Sequence, residues 1–454
     1  MEKRMSNSQT MCRILDEIEI PNAGAVRGNI TLPASVGGAT VTWVSSNPDV
    51  ITDQDNGALR AGVVTRGDSD CKVTLTATVS LDGAVAEKSI EVCVRKAPEP
   101  ITEDDYAGYL FGHFIGEENE NSEQIYFAVS RDGLHFKDMN NGNPVLVSTV
   151  GERGVRDPYL YRSAEGDRYF LIATDLSIYH RGGWFQNEQG YYDASTTGSS
   201  CLVLWESEDL VQWGEPKLLP VAPANAGMAW APEMIYYEKT GEYIIFFSSS
   251  IMNPETKYKT KPNAIYYVTT RDFVHFSETG LLIDNQTDNE RDGNRREIID
   301  TTILQIGDIY YSASKDGDNA EANGGIRIMR SRDPLDAKSW EKVLDLDELG
   351  LEVSGLGIRT LDNSTLEGPE LFRYNKRDWA DPNVPEYGLM ADQYAIGAGY
   401  LPLKTTDPED VRNERNSWKI LAPEQYSFDR LKKRHGTIFC ITEQELKRLE
   451  REFA

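Results

Sequence analysis

A short signature recurs five times along this chain and limits its fold more than any other feature. Ser130-Arg131-Asp132 is followed by Phe136, Ser207-Glu208-Asp209 by Trp213, Thr270-Arg271-Asp272 by Phe276, Ser331-Arg332-Asp333 by Trp340, and Thr406-Asp407 by Trp418. The copies lie roughly 60 to 80 residues apart, which calls for one supersecondary unit per copy. Each reads as a strand, a turn headed by a hydroxyl and an Asp, and an aromatic that opens the next strand. Ahead of the later copies lie pairs of apolar, aromatic strand-like runs at 159–175, 234–250, 303–316 and 371–395. Units of about four strands repeated radially predict an all-β chain with a five-bladed β-propeller. The strand-like run 434–442 has no unit of its own and is expected to join residues 109–114, closing the ring. A helix over 443–451, capped by Thr442, is expected to follow.

Upstream of the repeat, runs at 28–32, 40–44, 72–79 and 89–94 alternate with turn residues and predict a small N-terminal β-sandwich. Lys96-Ala97-Pro98-Glu99-Pro100 ends that alternation, so the expected domains are 1–97 and 104–454. With 73 acidic against 47 basic residues the net charge is -26, which repels phosphate backbones and anionic lipid. Nucleic acid and membrane are thereby excluded as partners, whereas neutral sugar polymers are unaffected. No run of about 18 apolar residues is present to span a bilayer. The N-terminal residues carry no apolar core of signal-peptide length, so the expectation is a chain either intracellular or already trimmed of an export signal. Five cysteines, at 12, 71, 93, 201 and 440, make neither a disulfide framework nor a zinc pattern, and Cys71 and Cys93 are the pair expected to be able to bond.

Residues at the mouths of a propeller's inner strands meet even when they are a hundred positions apart. Asp157, Asp300 and Glu367 stand ahead of three such strands, in Arg156-Asp157-Pro158, Ile299-Asp300-Thr301 and Glu367-Gly368-Pro369. Hydrolysis of a glycoside needs one acid to protonate the leaving oxygen and one carboxylate to activate water or attack the sugar, and a third acid can tune the first. Singly, each is an ordinary turn residue. Together, on a five-fold repeat, they point to a shared site. Asp132, Asp209, Asp272, Asp333 and Asp407 recur in every unit, which marks them as turn formers. Glu233, at a strand start beside Trp230, suits packing and positioning. His113, His135, His180 and His275 lack partners at ligand spacing, so no metal site is expected from them.

From Tyr106 to its end the sequence resembles glycoside hydrolase family 43, the five-bladed inverting arabinofuranosidases, xylosidases and arabinanases. The run 42–51, Thr-Trp-Val-Ser-Ser-Asn-Pro-Asp-Val-Ile, resembles the bacterial immunoglobulin-like modules attached to carbohydrate-active enzymes. The first resemblance implies that Asp157 is the general base, Asp300 the modulator of the acid's pKa, and Glu367 the general acid. Trp230, in Trp230-Ala231-Pro232-Glu233, would line the subsite of the cleaved sugar. His435 would touch the sugar or help hold a structural calcium ion near the propeller axis, and no cofactor is required. Asp300-Thr301-Thr302 departs from the Asp-Pro or Asp-Ala of many members. Polar, Gly-rich runs at 181–200, 285–296 and 377–387 are expected to form the pocket rim, with Trp184 available to stack on a sugar. The expected activity is exo-acting release of terminal α-L-arabinofuranose from plant polysaccharide or oligosaccharide. A β-xylosidase, an exo-β-galactanase and a non-catalytic sugar-binding propeller are the alternatives.

Overall fold

The computed structural model describes residues 7–184, 193–256, 258–284, 297–316, 325–351, 361–410 and 418–454. The fold is all-β, with six antiparallel four-stranded sheets among the described residues and helices at Asn7–Glu17 and Glu443–Glu452.

One sheet is N-terminal, built from Ser35–Val36, Ala39–Ser45, Cys71–Leu81 and Ala84–Val94. Alternation along it turns Val41, Trp43, Val73, Leu75, Ala77 and Val79 to one face, where they pack on Ile14 and Ile18 of the first helix and on Ile20, Ile30 and Ile51. The expected sandwich is thus realised in one layer. Its second layer is a helix with irregular chain, and residues 28–32 are tied in through Ile30 N–H to the Gly62 carbonyl (2.9 Å) instead of forming a strand. Cys71 lies opposite Val94 and Cys93 opposite Lys72. The two sulfurs therefore leave opposite faces of the sheet and cannot bond, and both thiols are free.

The other five sheets follow the repeat. Their first strands are Val155–Arg162, Trp230–Tyr237, Ile298–Ile306, Glu367–Arg373 and Arg434–Thr442, numbered here as the first to fifth sheets. These five strands pack on one another in a closed cycle, the fifth returning to the first. The fifth sheet joins both ends of the region, because Arg434–Thr442 pairs with Tyr106–Phe114. Consecutive residues of these sheets, which point to opposite faces, are both buried between neighbours, as with Phe246 and Phe247 or Leu389 and Met390. The sequences accordingly read as nearly continuous apolar runs.

The recurring Asp residues form turns between third and fourth strands. Asp132 accepts from the amides of Leu134 and His135, Asp209 from Val211 and Gln212, and Asp272 from Val274 and His275, each at 2.7 to 3.0 Å. In the fourth sheet the hydroxyl of the motif is Thr405, one place earlier than the sequence suggested, and it accepts from Asp407 N–H.

First-to-second strand turns lie at the end of each sheet away from the starts of the first strands. The N-terminal unit docks there. Asn29 donates to the Gly241 carbonyl (2.9 Å), Arg66 pairs with Asp167 (2.6 Å), and Arg271 donates to the carbonyls of Ala61 (2.8 Å) and Thr240 (2.9 Å). Residues 377–387 also lie at this end, between Glu367–Arg373 and Tyr387–Asp392. They are not pocket rim: the chain has run the length of the strand from Glu367 before reaching them, and Asp378 accepts from Tyr109 OH (2.7 Å). The run 285–296 lies outside the described residues.

Candidate active site

Each of the five first strands breaks its ladder near its start. Register shifts fall between Arg156 and Tyr159, Trp230 and Glu233, Ile299 and Thr302, Glu367 and Glu370, and Arg434 and Thr437. The segments Arg-Asp-Pro-Tyr, Trp-Ala-Pro-Glu, Ile-Asp-Thr-Thr, Glu-Gly-Pro-Glu and Arg-His-Gly-Thr are therefore equivalent bulges, one per sheet. A bulge re-aims side chains and bends the strand, here around the axis of the ring. At the second place, Asp157, Ala231, Asp300 and Gly368 have φ of 50, 45, 50 and 49°. That left-handed conformation is costly for most residues and tolerated by Asp and Gly, and its retention by non-glycine residues is characteristic of functional sites. Gly368 has a second reason to lack a side chain, since a Cβ there would lie 2.8 Å from the Cβ of His435.

Bulging frees backbone amides from the ladder, and hydroxyls of the preceding sheet take several of them. Ala231 N–H donates to Thr174 Oγ1 (2.7 Å), Asp300 N–H to Ser248 Oγ (3.1 Å) and Gly436 N–H to Tyr400 OH (2.9 Å). Gly368 N–H instead reaches Asp300 Oδ2 (3.2 Å), which ties the Asp300 carboxyl to the residue after Glu367.

The structure brings the three predicted acids together with His435. His435 Nδ1 lies 3.3 Å from Asp157 Oδ1 and 3.9 Å from Asp300 Oδ2, and Thr174 Oγ1 donates to Asp157 Oδ2 (2.8 Å). Glu367, one place earlier in its bulge, accepts from Arg434 Nη2 (2.9 Å), whose Nε donates to the buried Asp392 (2.6 Å). The electrostatics separate these groups. Burial alone would raise Asp157, but the hydrogen bond and charge of His435, with Arg156 and Thr174, outweigh it and hold the carboxyl below its usual range. Burial pushes Glu367 up to about 8, helped by the charges of Asp300 and Asp392, and Arg434 and His435 oppose this without prevailing. Asp300 is raised by burial and by Asp157, against the pull of His435. His435 is pushed up to about 9: burial works against its charge, but the Asp157 hydrogen bond and the surrounding carboxylates win. At neutral pH the site holds a protonated glutamic acid, an ionised aspartate and an imidazolium.

Two indoles stand beside these groups. Trp184 and Trp230 meet edge to face, ring centroids 6.3 Å apart at 81°. Trp184 donates to Glu117 (3.2 Å), and its ring faces the Arg156 guanidinium at 5.0 Å. Buried Glu123 anchors the chain leading to Trp184, accepting from Ser177 Oγ, Ile178 N–H, Tyr179 N–H and Arg156. Of the predicted rim, residues 181–184 and 193–200 lie at this end, and 185–192 lie outside the described residues.

His435 turns its Nδ1 to the carboxylates of Asp157 and Asp300, at 3.3 and 3.9 Å. Among the described residues no group of three or more His, Cys, Asp or Glu is arranged to hold a metal ion.

Thr174 and Arg434 bond to the acids, Arg156 and Asp392 act on them by charge, and none of the four was singled out from the sequence. A signal for two of them was present: Pro occupies the third place of three bulges, and lining the five segments up on it puts Arg156 and Arg434 level with Glu367. Thr174 and Asp392 lie on second strands, and nothing local marks them.

Comparison with known proteins gives the following. Residues 15–97 match the family model described as an atrophied bacterial Ig domain, and residues 104–447 match that described as a probable glycosyl hydrolase domain, related to glycoside hydrolase family 43. An α-L-arabinofuranosidase of Bifidobacterium longum subsp. longum is 31% identical over 402 residues, covering 80% of this chain and 35% of that protein. The chain thus spans about a third of the length of this relative. Among solved structures, an α-L-arabinanase of Penicillium chrysogenum complexed with arabinobiose is 13% identical at a TM-score of 0.42, covering 81% of this chain and 90% of that one. A thermostable family-43 glycoside hydrolase is 11% identical at 0.39, covering 72% and 97%. The match over residues 104–447 places the chain in the family of probable glycosyl hydrolase domains related to glycoside hydrolase family 43, to which it belongs.

Proposed function

We propose that the chain is an exo-acting, inverting glycosidase that releases terminal α-L-arabinofuranose. Its five sheets act as the blades of a propeller over 104–454, with residues 1–97 as an accessory immunoglobulin-like unit. The observation that carries this reading is the opposed titration of Asp157 and Glu367 at one axis. Glu367, protonated at neutral pH and steered by Arg434, gives its proton to the leaving glycosidic oxygen. Asp157, ionised and fixed by Thr174 and His435, takes a proton from the attacking water. Asp300 sustains the proton on Glu367 through its charge and holds the Gly368 amide beside it. Trp230 and Trp184 offer faces for the sugar. Both protons are exchanged with solvent after product leaves, which resets the two carboxyls. The choice of arabinose follows the Bifidobacterium relative, an α-L-arabinofuranosidase.

A panel of chromogenic pentosides and hexosides, with arabinan and arabinoxylan fragments, tests this. Turnover is expected to be highest on the α-L-arabinofuranoside, and no turnover on any member ends the reading. Proton NMR of the first product should show the inverted anomer, since water attacks opposite the leaving group.

The pH profile follows from the same two groups. Activity requires ionised Asp157, so it falls as pH drops below the usual aspartate value of 3.8, and protonated Glu367, so it falls as pH rises through about 8. Asp392→Asn removes a charge that raises Glu367 and leaves Arg434 to act on Glu367 alone. The alkaline limb of kcat/KM should then move down by about one pH unit. An unmoved limb would mean that Glu367 is not the group titrating there.

A further inference from the structure

The fourth place of each bulge forms a second layer beneath the acids, occupied by Tyr159, Glu233, Thr302, Glu370 and Thr437. Its members are interlocked. Thr437 Oγ1 donates to the Pro158 carbonyl (2.8 Å), and Leu371 N–H donates to Thr302 Oγ1 (3.3 Å). Ile438 N–H reaches Glu370 Oε1 (3.0 Å), and Ile303 N–H lies 3.4 Å from Glu233 Oε2. The carboxyls of Glu233 and Glu370 are buried beside one another, with the Thr302 hydroxyl next to both. The reaction proposed above uses neither. Two carboxylates in contact and out of water cannot both be ionised, so a bond between them requires a proton.

We propose that Glu233 and Glu370 share one proton as a crossbar over the axis, tying the second sheet, which carries Trp230, to the fourth, which carries Glu367. The two are positioning residues: each lies three places after a group of the site, at the other end of the same bulge. The catalytic half of this inference rests on the reading of Glu367 as the acid, and the structural half stands without it. The other groups that face the pair are Tyr159 from the first sheet, Tyr400 from the third strand of the fourth sheet, and His435 and Cys440 from the fifth. Of these, only His435 is charged at neutral pH. It draws Glu370 down without undoing the effect of burial, which pushes that group up to about 8.

A carboxyl whose pKa is raised on folding keeps a proton that the unfolded chain has released, so stability falls with rising pH between the unfolded value, 4.5, and about 8. The test is the melting temperature at both ends of that window for wild type, Glu233→Gln and Glu370→Gln. Either amide donates to the remaining carboxylate at every pH, so the fall in Tm should shrink by at least about 2 °C in both variants. The same fall as wild type in both would overturn the shared proton. For positioning, kcat of Glu233→Ala on the arabinofuranoside is expected to lie at least about tenfold below that of Glu233→Gln, with KM changed less. Equal kcat in the two would overturn that role, and if Glu233→Ala does not fold, Glu370→Ala against Glu370→Gln makes the same comparison. An enzyme inactive on every glycoside would refute the proposed function, and the melting series would still decide the crossbar.

Discussion

Glu367→Gln is expected to lower kcat/KM on an arabinosyl oligosaccharide by roughly a thousandfold or more, and by far less on a nitrophenyl arabinofuranoside. The difference lies in the leaving group. A sugar alkoxide is too basic to depart unprotonated, whereas nitrophenolate leaves without help. The proposed role needs a protonated carboxyl, and burial, Asp300 and Asp392 hold Glu367 protonated up to about pH 8 despite the Arg434 guanidinium at 2.9 Å. Glutamine keeps the bond from Arg434 through its carbonyl oxygen and gives up only the ionisable proton. The fold should therefore be retained, with Tm within a few degrees of wild type. Paired kinetics on the two substrates are the measurement. Equal losses on both would remove Glu367 from the role of acid.

The second large effect is expected at Asp157→Asn, with a loss of about a thousandfold on both substrates alike. Water must be activated whichever group leaves, so a better leaving group offers no rescue. The amide cannot accept a proton from water, although its oxygen can still accept from Thr174 Oγ1, which lies 2.8 Å from the carboxylate. His435 loses the partner that does most to raise it. Its stabilising charge is present at pH values below the unfolded value of 6.5 and is lost as pH rises through about 9. In the variant that loss should begin at lower pH, visible as a downfield imidazole resonance titrating earlier. Near-normal rates would show that another group activates the water.

These predictions draw on different levels of the chain. Asp157, Asp300, Glu367 and Trp230 were legible because each stands in a short segment of unusual composition at the start of an apolar run. The five turns were legible because a hydroxyl and an Asp two places on satisfy nearby amides, and the hydrogen bonds of Asp132, Asp209 and Asp272 span three residues or fewer. The N-terminal sandwich was overread, since alternation reports one buried face and is silent on what covers it. Residues 377–387 were misassigned to the rim because length and polarity do not tell which end of a sheet a loop occupies. Arg434 was passed over in favour of its neighbour His435, and Asp392 was invisible, since an Asp ending an apolar strand has no local mark of a partner 42 positions away.

What the sequence determined by itself is the all-β class and the acids available to a site. These follow from period-two alternation and turn chemistry, which act over a few residues. The tertiary structure alone supplied a physical reason for the two roles that the family resemblance implied. Glu367 and Asp157 are both carboxyls beside an arginine, and they part only because Glu367 is buried near Asp300 and Asp392 while Asp157 receives His435 from the far end of the chain. Ionisation depends on charge and solvent through space, and neither is written along the chain.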